Sequence, residues 1–135
     1  MAANTVNSYD FKKVSVIVNG HHVVGFHDGS VVKAEKNEDN VIPHVGADGG
    51  VTYTESNDNT GTITITLKQN SSSLPYLINL AKQKKTFPVQ VIDANDNKLK
   101  AGGSQARILR TPAVEWGAEI AGVEVQIHVA DFDLK

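Results

Sequence analysis

Thr60-Gly61-Thr62-Ile63-Thr64-Ile65-Thr66-Leu67 alternates threonine with glycine or an aliphatic residue, and Ser71-Ser72-Ser73-Leu74-Pro75-Tyr76-Leu77-Ile78-Asn79-Leu80-Ala81-Lys82 follows closely. Strand side chains point alternately to opposite faces, so the first stretch reads as a strand with one apolar and one hydroxyl face. Such a strand suits an antiparallel sheet packed on one side and wet on the other. The second stretch reads as a helix. Ser72 or Ser73 is placed to cap it, Pro75 falls in the first turn where its missing N–H does no harm, and Lys82, Lys84 and Lys85 sit at the negative end of the dipole. Leu74, Leu77, Ile78 and Ala81 form a core stripe at helical spacing, widened by Tyr76 and Leu80.

Working outward, residues 11–18 predict a strand, and Asn19-Gly20 supplies the positive-φ pair of a two-residue type I′ turn. Its register sets Val18 across from His21, Ile17 from His22, Val16 from Val23 and Val14 from Gly25. Asp28-Gly29 marks another turn before a strand at 30–36. Residues 37–50 show no period, and their length approaches the ~12–15 residues beyond which structureless loops become uncommon, so they read as a long binding loop. Residues 51–56 and 61–67 predict a hairpin around Asn57-Asp58-Asn59-Thr60. Residues 86–93 predict a strand, 94–97 a turn, and 98 onward a further strand through Gly102-Gly103. A last hairpin around Ala121-Gly122 would pair Ile120 with Val123, Ala118 with Val125, Trp116 with Ile127 and Val114 with Val129. Its opposite face would carry Glu115, Glu119 and Glu124, with Glu119 directly across from Glu124. Like charges so placed require water or a cation.

The chain has 135 residues, 40% of them apolar, which supports one domain over residues 1–135 with a proper core. A net charge of -2 argues against nucleic-acid binding driven by bulk charge. The distribution is uneven. Between positions 35 and 58 lie Glu35, Glu38, Asp39, Asp48, Glu55 and Asp58 against Lys36 alone; between 82 and 110 lie Lys82, Lys84, Lys85, Lys98, Lys100, Arg107 and Arg110 against Asp93 and Asp96. A chain with separate acidic and basic regions can be its own partner. The absence of cysteine removes disulfides, thiolate catalysis and thiolate zinc sites. The polar start of the chain reads as neither signal peptide nor anchor, and no apolar run approaches the ~20 residues that span a bilayer, so a soluble protein made in the cytoplasm is expected.

Sites of chemistry fail inspection. Gly102-Gly103-Ser104-Gln105-Ala106 imitates a nucleophile elbow, but alanine replaces the last glycine and a strand-like run follows. Gly46-Ala47-Asp48-Gly49-Gly50 lacks the Gly-Lys-Ser/Thr ending and the helix of a phosphate cradle. Asp93, Asn95 and Asn97 have calcium-loop spacing, with Lys98 where glycine is needed. His21 and His22 point to opposite strand faces, and His27, His44 and His128 show no helical chelating spacing. No cofactor, metal or catalytic set is expected, and an enzyme with a site built across strands is the weakest of three readings.

The chain resembles the tail tube proteins of contractile-tailed bacteriophages. The similarity lies in Tyr9-Asp10-Phe11-Lys12-Lys13-Val14, Ala34-Glu35-Lys36-Asn37-Glu38-Asp39-Asn40, residues 60–67, the Ser73-Leu74-Pro75 helix start and Val114-Glu115-Trp116-Gly117-Ala118-Glu119. The resemblance implies a mainly β fold, an antiparallel β-sandwich or partial barrel with one flanking α-helix. It implies a structural virion protein whose copies form hexameric rings stacked into the tail tube, a passive conduit for DNA ejection. Its partners would be itself, the tail sheath protein, the tape-measure protein, and baseplate and terminator proteins. DNA would be non-specific transiting cargo, no membrane would be involved, and the virion tail would be assembled in the host bacterial cytoplasm. A baseplate or tail-completion protein of the same fold, or a small β-rich binding module, is the alternative. On this reading Glu38, Asp39, Val41, Ile42, His44, Val45 and Asp48 belong to an inter-ring or inter-subunit loop, Lys82, Lys84 and Lys85 to a basic interface, and Glu115, Glu119 and Glu124 to the lumen face.

Overall fold

The computed structural model describes residues 10–27, 32–95 and 98–135. In chain order its elements are β1 (Val14–Val18), β2 (His21–His22), β3 (Val32–Lys36), β4 (Val41–Val45), β5 (Val51–Glu55), β6 (Gly61–Lys68), helix α1 (Leu74–Gln83), β7 (Phe87–Asp93), β8 (Lys100–Ile108), β9 (Gly122–Val129) and β10 (Asp133–Leu134). One sheet runs in the order β2-β1-β7-β8-β9-β6-β3, with β10 also on β8, and β4 and β5 pair separately. Every pairing is antiparallel.

The sheet curls because one stretch of chain borders both of its ends. After β2 on β1, the backbone crosses to β6: Phe26 bridges Leu67, the Gly25 carbonyl accepts from the Lys68 N–H at 2.8 Å, and the His27 N–H donates to the Thr66 carbonyl at 3.0 Å. β3 then continues along β6. The architecture is the expected antiparallel one with a flanking helix, in its partial-barrel form.

The threonine stretch behaves as its period dictates. Ile63, Ile65 and Leu67 are fully buried while Thr62, Thr64 and Thr66 face outward. Across from them on β9, Ile127, Val125 and Val123 are buried in register. Val16, Val18 and Val89 join this core, and α1 adds Leu74, Leu77 and Leu80. Each such aliphatic side chain contributes about 1.5–3 kcal/mol by leaving water, so the β6–β9 ladder is the energetic centre of the fold.

Asn19 and Gly20 take positive φ of 52° and 79°, and the paired residues are Val18 with His21 and Ile17 with His22. The hairpin is shorter than its sequence suggests. Residues 11–13 form a 3-10 turn capped by the Asp10 carboxylate, and the chain leaves for β6 before Gly25 can pair with Val14. The Asp28-Gly29 turn and part of the 94–97 turn lie outside the described residues.

The serines do not cap α1. Ser73 is itself helical (φ -83°, ψ -19°) and its hydroxyl makes no cap bond. It accepts instead from the Val24 N–H at 3.0 Å and bonds His21 at 3.2 Å, while the Ser71 hydroxyl donates to the Val24 carbonyl. His21 also stacks on Tyr76 with ring centroids 4.4 Å apart. These contacts fasten the crossing segment to the start of the helix.

Two expected hairpins are differently partnered. β5 pairs with β4, and residues 57–60 are the link from β5 to the main sheet, tightened by Asp58 accepting from the Thr60 N–H and hydroxyl at 2.8 and 2.6 Å. Residues 114–120 form no strand, and β9 lies between β6 and β8. The buried row of β9 finds a better complement in Ile63, Ile65 and Leu67 than in Ala118 and Trp116. Residues 109–121 therefore run over the surface, with Trp116 83% exposed.

Candidate assembly surfaces

Residues 37–50, expected as a loop without period, are half of a projecting two-stranded arm. β4 and β5 pair from Val41–Glu55 to Val45–Val51, and the tip closes through the Gly46 N–H to the Gly50 carbonyl at 2.7 Å. Asp48 accepts from the Gly50 N–H at 3.1 Å, and Gly49 takes φ +89° in this turn. Pro43, which lacks a donor, is tolerated because this small sheet has only edge strands. The arm sits on the main sheet at Lys36 and Gly61, where the Asn37 amide group bonds the hydroxyls of Thr60 and Thr62.

Alternation sorts the arm's residues into two faces. One carries Val41, Pro43 and Val45 beside Val51, Tyr53 and Glu55; the other carries Ile42 and His44 beside Thr52 and Thr54. Of the expected contact residues, Val41 and Val45 share the apolar face, Ile42 and His44 the opposite one, Glu38 and Asp39 the root, and Asp48 the tip. Val45 is 71% and Tyr53 68% exposed. The sequence reading missed Pro43, Val51 and Tyr53. The signal was there in a period of two running through both strands, interrupted by the glycine-rich turn.

Lys82, Lys84 and Lys85 lie exposed at the end of α1, with Lys84 in the left-handed region at φ 57°. They make no ion pair with the arm's acids. Among the described residues the ion pairs are Lys33–Glu35 and Lys135–Asp133, both on the surface. The acidic arm and the basic helix end thus remain unneutralised by one another.

Glu115, Glu119 and Glu124 do not share a hairpin face. Glu115 and Glu119 are exposed in the 109–121 segment, and Glu124 points outward from β9 opposite Thr66, accepting from the Gln126 side-chain amide at 3.2 Å. The repulsive Glu119–Glu124 pair does not arise, because the strand that would have created it is absent. The outer sheet face around Glu124 instead joins Thr62, Thr64 and Thr66 to Gln126 and His128, with Lys33 and Glu35 on one flank and Arg107 on the other. Lys68 at the end of β6 lies on this face too, so its acids, Glu35 and Glu124, stand beside three cations, Lys33, Lys68 and Arg107.

The sequence features that imitate chemistry have structural occupations. The Ser104 hydroxyl donates to Asp131 at 2.6 Å, and the same carboxylate accepts from the N–H groups of Ser104 and Gln105, each at 3.0 Å. The Ser104 hydroxyl first, then its amide, holds the Asp131 carboxyl below its ordinary value of 3.8. Thr60 does the same for Asp58. Asp93 accepts from the amide and side chain of Asn95, and Asn95 in turn bonds the backbone of Asp10, so this turn ties down the start of the described chain. Among the described residues no three histidine or carboxylate side chains are placed to share a metal ion. No helix among them is long and apolar enough to cross a membrane.

Several solved structures share this fold. The sheath/tube terminator of an extracellular contractile injection system (PVC) in its extended state superposes with a TM-score of 0.63 at 13% identity, covering 100% of this chain and 99% of that one. The tube terminating cap of the anti-feeding prophage gives 0.60 at 13% identity, with 100% and 99% covered. A chain of the PVC sheath-tube complex gives 0.60 at 15% identity, with 91% and 88% covered. No curated protein matches in sequence. A family model described as bacteriophage PhiTE tail tube protein matches residues 7–95, from ahead of β1 through β7 and including the whole arm. With that match spanning well over half its length, the chain belongs to this family of phage tail tube proteins, which are structural proteins rather than enzymes.

Proposed function

We propose that six copies of the chain close into a ring and that the rings stack into the tail tube, through which DNA passes during ejection. The observation that carries this reading is the arm: a family member with an ordered hairpin whose apolar face is unburied has a surface suited to contact with further copies. A contiguous exposed apolar surface on a soluble subunit marks an interaction site. The sheath outside the tube, the tape-measure protein inside it during assembly, and baseplate and terminator proteins at its ends are the partners this role requires. Assembly takes place in the host bacterial cytoplasm, and the product resides in the virion tail.

DNA must slide rather than bind, and each cation on its phosphates would add favourable counterion release. The outer face, dominated by the threonine hydroxyls and Gln126, with Lys33 paired to Glu35 and Glu124 offsetting one of its remaining cations, is suited to line the channel. Glu115 and Glu119 lie off this face and fit an outer or inter-subunit position.

A second reading has an observation behind it. The two superposed chains that are covered almost end to end are a terminator and a tube cap, so a single capping ring is the alternative. Negative-stain microscopy with velocity sedimentation of the purified protein decides. Stacked rings support the tube, one ring of fixed size supports the cap, and a monomer at every concentration refutes both.

A further inference from the structure

Two apolar surfaces are left open by the fold, and their surroundings carry opposite charge. One is the arm face of Val41, Pro43, Val45, Val51 and Tyr53. Positions 37–56 around it hold Glu38, Asp39, Asp48 and Glu55, with no lysine or arginine.

The other is the seam of the partial barrel, where β3 faces the starts of β1 and β8. Phe11, Val14, Val32, Ala34, Leu99 and Leu134 line a cavity of about 190 Å³ there, with Leu99 and Leu134 reaching solvent. Asp93 and Lys100 line the cavity as well, and beside the apolar lining residues in the chain stand Lys12, Lys13, Lys33, Lys98 and Lys135, against Asp10, Glu35 and Asp133. Asp133 is paired with Lys135 at 3.4 Å and Glu35 with Lys33 at 3.6 Å, and Asp93 is engaged by Asn95. The seam is therefore a largely apolar opening, and among the described residues Lys12, Lys13, Lys98 and Lys100 on its rim form no ion pair. No arm residue lines the seam of its own chain.

Resting on the self-assembly reading above, we propose that the arm of one copy docks its apolar face in the seam of a second copy. Tyr53, the largest side chain on that face, enters the cavity beside Leu99 and Leu134, and the arm's carboxylates meet the lysines of the rim. Complementary charge of this kind steers encounter and fixes register more than it adds affinity. Arm and seam are different surfaces, so the contact is heterologous: each docking leaves one free arm and one free seam. Repetition closes into a ring or continues as a filament, and a two-fold dimer is not formed.

The lack of cysteine makes the test clean. Thr54→Cys, next to Tyr53 on the opposite face of the arm, and Leu99→Cys, made separately in the full chain at exposed positions, are mixed and treated with a short bismaleimide, with sedimentation run in parallel. Docking predicts a mixed dimer from the pair, no dimer from either variant alone, and a ladder from the double variant. Adding Lys100→Glu to the Leu99→Cys partner should reduce the mixed product, and Glu55→Lys on the Thr54→Cys partner should restore it. Dimers from Thr54→Cys alone would mean a two-fold contact and overturn the proposal. Oligomers that sediment normally but yield no mixed product would overturn the docking and leave the tube reading standing. A protein that is monomeric throughout would overturn both.

Discussion

β6 and the β4–β5 arm obey the same rule and meet opposite fates. Both alternate side chains across a strand. In β6 the apolar row of Ile63, Ile65 and Leu67 is answered by β9 and the helix inside the same chain. In the arm the row of Val45, Val51 and Tyr53, continued by the half-buried Val41, is left open among the described residues, and Tyr53 stays 68% exposed. Periodicity specifies a face; whether that face serves folding or association depends on where its complement lies. Substitutions in the first should unfold the subunit, and substitutions in the second should spare the subunit and abolish assembly.

The largest effect belongs to the core. Ile65→Ala should destabilise the subunit by about 2–5 kcal/mol, because the removed methyl and methylene groups leave a cavity in a packed ladder. Chemical denaturation would register it as a lower midpoint with an unchanged slope. An effect below about 1 kcal/mol would mean the β6–β9 ladder is not the energetic centre.

Next comes the glycine pair on β8. Gly102 takes φ +143°, and a Cβ there would stand 2.1 Å from the Val89 carbonyl oxygen. Gly102→Ala should cost about 1–3 kcal/mol from the backbone conformation alone, with the clash added. Thermal melts compared with the neighbouring Ser104→Ala would separate this from loss of a hydrogen bond.

A smaller effect is tied to pH. The folded chain holds the Asp131 carboxyl below 3.8, through Ser104 first. Between the folded value and the unfolded one the unfolded chain binds more protons, so stability rises with pH through that window. The contribution is complete above the ordinary carboxylate value and is lost as pH falls through the folded one. The group is largely solvated, so it is worth less than about 1 kcal/mol. Asp131→Asn should flatten the acid limb of the melting-temperature profile and leave the neutral range only slightly lowered.

The smallest effect on the fold should accompany the largest on assembly. Tyr53→Ser is expected to change stability by no more than about 0.5 kcal/mol, as exposed substitutions do, while oligomers vanish from the sedimentation profile. Assembly of the unmodified chain should also weaken as salt rises, since exposed charge pairs are screened. Salt-independent assembly would assign the contact to the apolar face alone.

Local chemistry was readable in the sequence; partnership was less so. The Asn19-Gly20 turn, the α1 span and the inward row of β6 follow from residue type and spacing alone. Which strand lies beside which does not, because an apolar row is complementary to any other apolar row of similar length. For that reason residue spacing alone favours pairing β9 with residues 114–120 and β5 with β6, whereas the fold pairs β9 with β6 and β5 with β4. Pro43 and the Gly46–Gly50 turn hid the arm, since proline and glycine ordinarily interrupt strands. The serines before α1 have capping chemistry, yet the crossing segment at Val24 claims their hydroxyls. Of the expected contact residues, the arm set survives as one element, the lysines remain together at the helix end, and the glutamates are dispersed because their common face depended on the absent hairpin.

Trp116 stands 83% exposed in the 109–121 segment and is the chain's single tryptophan. All indole emission from the protein therefore originates at one solvated point, outside both the core and the arm. A copy, sheath subunit or other partner that covers that segment will shift the emission to shorter wavelength and shield it from aqueous quenchers. Partners that bind elsewhere will leave the spectrum alone, so the native chain carries its own optical probe for telling which of its surfaces a given assembly step uses.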